Sequence, residues 1–233
     1  MIPSQSWGED IAIDSSFVKL NLNRIRQKIA HYNVRIIAVT KYFGTKAMIA
    51  AYEAGLRDFA ESRAIESIEK ISLLPEEVRK NSVFHFIGHL QTNKAEKVVR
   101  HFDYIHSVDS IKVARAISKA ACSLNKREKI FLQVNNANEE QKSGYTKAEL
   151  RKDILEIVSL EGIEIAGLMN MAPLGANEQR LTELFSDIRE FRDELELDYN
   201  IKLPELSMGM SDDYEVAVRE GATIIRIGRK LFT

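Results

Sequence analysis

Cysteine is nearly absent from this chain. Cys122 stands alone, so no intrachain disulfide can form and the small disulfide-stapled scaffolds are excluded. Proline occurs four times and glycine 11 times in 233 residues. Neither gathers into a stretch resembling a linker, so one domain over residues 1–233 is expected. No run approaches the roughly 18 consecutive apolar residues needed to cross a bilayer, and no membrane span is expected. The opening MIPSQSWGEDIAID carries acids and a tryptophan where a secretory leader needs a basic start and an apolar stretch, which points to the cytoplasm. An excess of one charge is lacking too. With 33 basic against 34 acidic residues, the chain has no broad basic field, and nucleic acid is not an expected partner.

What is present is a large apolar fraction, 45%, beside 29% charged residues, the composition of a globular protein. Short β-branched runs alternate with longer helical patterns, the order of parallel strands joined by crossover helices. Eight such runs are expected as strands: Arg35 to Thr40, Asp58 to Ala60, Val83 to Gly88, Tyr104 to Ser107, Ile130 to Asn135, Ile165 to Met171, Glu205 to Met208 and Thr223 to Ile227. Eight βα units in a chain of this length favour a closed (β/α)8 TIM barrel over an open doubly wound sheet, which more often stops at about five or six strands. The clearest helical face is Leu181, Leu184, Phe185, Ile188, Phe191 and Leu195. An extra N-terminal helix, with Val18, Leu22, Ile25 and Ile29 on one face, is expected to close the barrel bottom. Cys122 follows Ile111, Ala114, Ile117 and Ala121 and reads as a buried thiol.

In a barrel the chemistry lies where strands end and βα loops begin. Lys41 follows Ile36, Ile37, Ala38 and Val39, which places an amine at the mouth of the first strand. Low-dielectric walls, with Tyr42 and Phe43 adding shielding, would disfavour its ammonium and prepare it to attack an aldehyde. The alternative is a strand-ending lysine that snorkels to water. In the segment Leu206 to Tyr214, Ser211 stands where a helix N-cap is expected and Gly209 permits close backbone approach, so free N–H groups there could cradle a phosphate. Asp212 and Asp213 would compete for the same positive end, and an ordinary capped helix is the rival reading. Arg226 sits on the face opposite Ile225 and Ile227. There it needs a carboxylate in the structural case or a ligand's ring nitrogen in the functional one. Gly228 would let backbone N–H groups meet an anion beside the Ser211 loop. His85 and His89 share a strand face and could join His106 on a metal, but no third ligand at tight spacing is visible and no metal is expected.

Several of these segments together resemble the YggS/PROSC family of pyridoxal phosphate-binding proteins, relatives of the N-terminal barrel of alanine racemase. The resemblance runs over nearly the whole chain. It is carried by Ala38-Val-Thr-Lys41, His85 to Lys94, His106-Ser-Val-Asp-Ser110, Gln133-Val-Asn135 with Lys142 and Gly144, Gly167-Leu-Met169, Leu206 through Asp213, and Arg226-Ile-Gly228. It implies a monomeric barrel with pyridoxal 5'-phosphate as cofactor and Lys41 as its Schiff-base lysine. Ser211 and the backbone at Gly228 and Arg229 would be phosphate ligands, Gly209 would be part of the same loop, Ser207 a further phosphate candidate, and Arg226 would face the pyridine nitrogen. Three departures stand out. Ala60-Glu61-Ser62 replaces the usual Gly-Glu-Asn, Arg229 replaces a small threonine, and Leu231-Phe-Thr233 stops before a customary glycine.

An arginine opposite the ring nitrogen cannot hand it a full proton, which handicaps carbanion chemistry. Racemisation also needs a second base, supplied in the racemase by a C-terminal β-domain that this reading does not expect here. The expected role is therefore vitamin B6 homeostasis: a carrier or buffer that holds the reactive aldehyde, with recipient apoenzymes as candidate partners. The alternatives are a weak amino-acid racemase, decarboxylase or lyase, and a cofactor-free barrel that serves as a protein interaction module.

Overall fold

The computed structural model describes residues 13–137 and 143–233. Lys142 and most of the opening segment lie outside the described residues. Eight strands form one closed parallel barrel in chain order. They are β1 (Arg35–Val39), β2 (Asp58–Glu61), β3 (Val83–Phe86), β4 (Tyr104–Val108), β5 (Glu128–Gln133), β6 (Ile163–Met169), β7 (Glu205–Ser207) and β8 (Ile224–Ile227). The helices around them are α1 (Ser15–Lys28), α2 (Thr45–Glu53), α3 (Ala64–Ser72), α4 (Glu76–Lys80), α5 (Ala95–His101), α6 (Ile111–Ser123), α7 (Lys147–Ser159), α8 (Glu178–Tyr199), α9 (Tyr214–Arg219) and α10 (Arg229–Phe232). β8 closes the barrel on β1 through the pairs Arg35 with Ile224, Ile37 with Arg226 and Ala38 with Ile227. All eight expected strands form. β5 and β6 start two residues earlier than their apolar runs, because the ladder continues through the pairs Glu128 with Ile163 and Lys129 with Glu164.

Helix ends follow local chemistry. Asp14 caps α1 by accepting from the Ser16 N–H at 2.8 Å, and Thr146 with Glu149 makes a reciprocal capping box on α7. Asn177 caps α8, whose six expected face residues are all buried. α1 packs beside α2 and α10 in the outer ring, and Asn21 donates to the Leu231 carbonyl at 3.3 Å. It runs down the side of the barrel rather than across its bottom, and only its last turn, through Arg26 and Ile29, reaches a floor cavity of about 410 Å³ lined also by Arg35, Arg57 and Asp58. Cys122 is exposed rather than buried, since one residue beyond Ala121 the helix has turned about 100° off the apolar face.

Strand alternation sorts side chains onto two faces. Ile36, Ala38, Phe59, Phe84, Ile105, Leu206, Ile225 and Ile227 join the large core between sheet and helices. Ile37, Ala60, Phe131, Ala166, Met169 and Ile224 make a small apolar cluster inside the barrel. Val39 and Tyr104 pack against it, and other inward positions are polar. At the floor Arg35 meets Glu205 at 3.3 Å and Asp58 at 4.0 Å.

Glu128 is fully buried at the start of β5, paired with Lys126 at 2.7 Å. Its carboxyl is pushed up from 4.5 to about 7 by burial, against the opposing pull of Lys126. A carboxyl raised in the folded state stabilises fully below its unfolded pKa, and that contribution is lost as pH rises through the folded one. The Glu128→Gln variant is therefore expected to gain about 2–3 kcal/mol near pH 8 and almost nothing near pH 4. Urea midpoints at the two pH values check this. Lys126 keeps the carbonyls of Val99, at 2.7 Å, and Phe102.

Candidate functional site

The C-terminal ends of β7, β8 and β1 lie side by side, because β8 is hydrogen-bonded to both neighbours. Lys41 stands two residues beyond β1 in a turn closed by the Phe43 N–H on the Thr40 carbonyl at 2.9 Å. Its parity with Ile37 and Val39 turns it to the inner side of the mouth. The side chain is half-buried, with its Nζ 5.0 Å from the Tyr42 ring centre. Tyr42 itself is 69% exposed. Phe43 turns the other way and packs on Phe232 at 4.8 Å. The expected shielding of Lys41 is thus one-sided, from Tyr42 alone of the two aromatics.

The loop after β7 is held by its backbone. Gly209 has φ +92°, and a Cβ there would lie 2.7 Å from the Ala217 Cβ, so only glycine fits. Ser211 is buried, and its Oγ accepts from the N–H groups of Gly228 at 3.3 Å and Lys230 at 3.4 Å. It is not the N-cap of a helix, as the sequence suggests. α9 starts at Tyr214 with Asp213 at the cap position, and the Asp213 carboxylate accepts instead from the Met210 N–H at 2.5 Å. The serine ties the β7 loop to the β8 loop. Asp212 faces solvent and pairs with Arg229, whose guanidinium is 68% exposed. The Arg229 side chain is thus turned to Asp212 and solvent. Gly228 lies against β1, where an added Cβ would sit 3.3 Å from the Val39 carbonyl oxygen.

Arg226 faces the barrel interior and is 3% exposed. Nη1 donates to the Ser207 carbonyl at 2.6 Å and to Ser207 Oγ at 2.8 Å, and Nη2 donates to the Asn170 carbonyl at 2.8 Å. Among the described residues no carboxylate holds it directly. Burial lowers its pKa to about 10, with Asp213 opposing the shift, so the guanidinium remains charged at neutral pH. Ser207 departs from expectation. Fully buried in β7, it spends its hydroxyl on Arg226 and on His106 Nδ1 at 2.9 Å, which places it beneath the guanidinium rather than at the phosphate loops.

From Ser207 a hydrogen-bonded chain descends through the barrel. His106 Nε2 meets His85 Nδ1 at 2.9 Å, and His85 Nε2 meets Asp58 Oδ1 at 3.0 Å. Its direction is set at both ends, since arginine can only donate and a carboxylate can only accept. Ser207 therefore donates to His106, His106 to His85, and His85 to Asp58. Each imidazole is neutral with its proton on Nε2. Burial holds His106 well below the usual histidine range, reinforced by His85 and Arg226, and burial also lowers His85 despite Asp58. Phe131 stacks on His106 at 4.2 Å and Tyr104 on His85 at 4.7 Å. His89 does not share their strand face. β3 ends at Phe86, and His89 is 62% exposed and 3.3 Å from Asp109.

Sequence reasoning missed Asn170. It is fully buried just past β6, holds Arg226 through its carbonyl, and has a side-chain Oδ1 with no hydrogen-bond partner among the described residues. Nothing in its local spacing marks it. The mouth thus gathers an amine, a buried guanidinium, N–H groups of the β8 loop and one orphaned buried acceptor. This donor set fits a small anionic aldehyde. Ser62, at the changed Ala60-Glu61-Ser62, meets Gly88 through its backbone carbonyl, leaving no room for a Cβ there, so this approach does not depend on the side chain at position 62.

A closed barrel with a lysine at the mouth of β1 and joined loops after β7 and β8 defines the class, and the chain belongs to the alanine racemase N-terminal domain family, whose model matches residues 13–233. Among curated proteins it is similar to the pyridoxal phosphate homeostasis protein of Synechocystis sp., 42% identical over 200 residues and covering 86% of this chain and 91% of the relative. The protein of the same name from Aquifex aeolicus is 36% identical over 198 residues, covering 85% and 86%. Among solved structures, PipY of Synechococcus elongatus with PLP bound is 39% identical, with TM-score 0.84, covering 93% of this chain and 100% of that one. Alanine racemase of Clostridium difficile is 16% identical, with TM-score 0.73, and 57% of its length is covered. It shares the fold.

Proposed function

We propose that this chain is a pyridoxal 5'-phosphate-binding protein of vitamin B6 homeostasis that holds the cofactor on Lys41, as a monomeric cytoplasmic carrier or buffer serving recipient apoenzymes. The observation that carries the reading is the adjacency of Lys41 to the β7 and β8 loops joined by Ser211. The relatives' names and the PLP bound to PipY support it. When bound, the cofactor supplies an aldehyde that condenses with a primary amine, releasing one water. Lys41 is the amine. Ser211 and the N–H groups of Gly228 and Arg229 would hold the phosphate, and Gly209 keeps the loop close.

Arg226 would face the pyridine nitrogen and keep its own proton, because even at about 10 its pKa stands well above neutrality. The ring therefore gains little electron-withdrawing power, which suits storage over turnover. Visible absorbance of the purified protein before and after borohydride, followed by peptide mass mapping, tests the proposal. A reduced adduct on Lys41 is expected. One on Lys46 or Lys94 instead would refute the site.

A further inference from the structure

Behind the sheet, on the face opposite Arg226, lies a buried ion pair that the site as described leaves unused. Lys70 in α3 is 3% exposed and Glu61 at the end of β2 is 1% exposed, and the two are in direct contact. Few lysines are buried this far, and each one needs acceptors. The Lys70 ammonium also donates to the Thr40 carbonyl at 2.9 Å and the Phe43 carbonyl at 3.0 Å. Glu61 accepts from Thr40 Oγ1 at 2.5 Å and Ser67 Oγ at 3.2 Å.

Thr40 and Phe43 are the two ends of the turn whose centre is Lys41 and Tyr42, and the Phe43 N–H already closes that turn on the Thr40 carbonyl. The ammonium grips both ends of the turn from outside the barrel, while Lys41 projects to the inner side. A turn at a strand end is ordinarily among the more mobile parts of a fold. Here a charge held in a dry layer pins it, and the charge-assisted bonds in that layer are strong ones.

We infer that Lys70 is a positioning residue for Lys41: with Glu61 behind it, its ammonium fixes the 40–43 turn so that the Lys41 amine is presented to the aldehyde carbon in one geometry. The inference rests on the pyridoxal phosphate reading of Lys41. It predicts that Lys70 matters to forming the covalent bond and not to gripping the phosphate, whose ligands lie on β7 and β8.

The full chain carrying Lys70→Met with Glu61→Gln removes both charges together, so neither is left buried alone. Thermal melting establishes that it folds. Affinities are then measured for pyridoxal 5'-phosphate, which condenses with Lys41, and for pyridoxamine 5'-phosphate, which has the same ring and phosphate but no aldehyde. The expected result is a loss of about tenfold or more for the aldehyde, with a matching fall in borohydride-trapped adduct, and a change of less than about twofold for the amine. Lys70→Arg, which keeps the charge and alters the donor geometry, is expected to lose about threefold for the aldehyde alone. It carries the same test should the charge-free variant not fold. Unchanged aldehyde affinity would overturn the inference, as would parallel weakening of both ligands. A wild-type protein that binds both ligands equally and yields no adduct on Lys41 would instead remove the cofactor reading itself, and the positioning role with it.

Discussion

Lys41→Ala is expected to lose the borohydride-stable adduct completely and to weaken pyridoxal 5'-phosphate binding by at least about a hundredfold, roughly 2.7 kcal/mol. The protein should remain folded, because Lys41 is half-buried and its side-chain contact is an aromatic ring 5.0 Å away. The same substitution should scarcely change the affinity for pyridoxamine 5'-phosphate, since Ser211, Gly228 and Arg229 are untouched. Isothermal titration with both vitamers, together with the ligand-induced rise in melting temperature, measures the difference. A Lys41→Ala protein that still yields a reduced adduct would show that another amine carries the aldehyde.

The second large effect is on stability and needs no ligand. Arg226→Leu strands the Asn170 carbonyl in the barrel interior and takes one of two partners from the Ser207 carbonyl, which keeps the Asn170 N–H at 3.2 Å, and from the Ser207 hydroxyl, which keeps His106. Unpairing a buried acceptor costs about 1–3 kcal/mol, and with the two weakened Ser207 contacts a total near 2–4 kcal/mol is expected, a large share of the roughly 5–15 kcal/mol by which a domain is stable. The melting temperature should fall by about 10 °C. The hydrogen-bonded chain below adds a second readout. Ser207 would lose its donor from Arg226 and could turn, freeing His106 to change tautomer, and the imidazole nitrogen shifts in NMR spectra would report it. A melting temperature equal to that of wild type would mean that the guanidinium is dispensable to the fold and that its worth lies with the ligand.

Much of this site was legible along the chain. The alternation Ile225, Arg226, Ile227 puts an arginine alone on the inner face, and the structure keeps it there. The run Ile36 to Val39 followed by Lys41 places an amine at a strand mouth, and the β1–β8 register sets it beside the second loop. Local spacing failed where a partner comes from far away. Ser211 has the appearance of a cap because serine before a helical pattern usually is one, yet its oxygen is taken by N–H groups 17 and 19 positions later. Ser207 and His106 are 101 positions apart, a distance no period can express.

The chain alone determined the eight strands, their parallel order and the inward sense of Arg226 between Ile225 and Ile227, because hydrophobic periodicity is a local consequence of backbone geometry. Only closure of the barrel decided which inward residues meet: Arg226 with Asn170, His85 with His106, and, behind the sheet, Lys70 with the turn bearing Lys41. Those meetings depend on strand register summed around a ring. Register is a property of the whole sheet that no single segment contains.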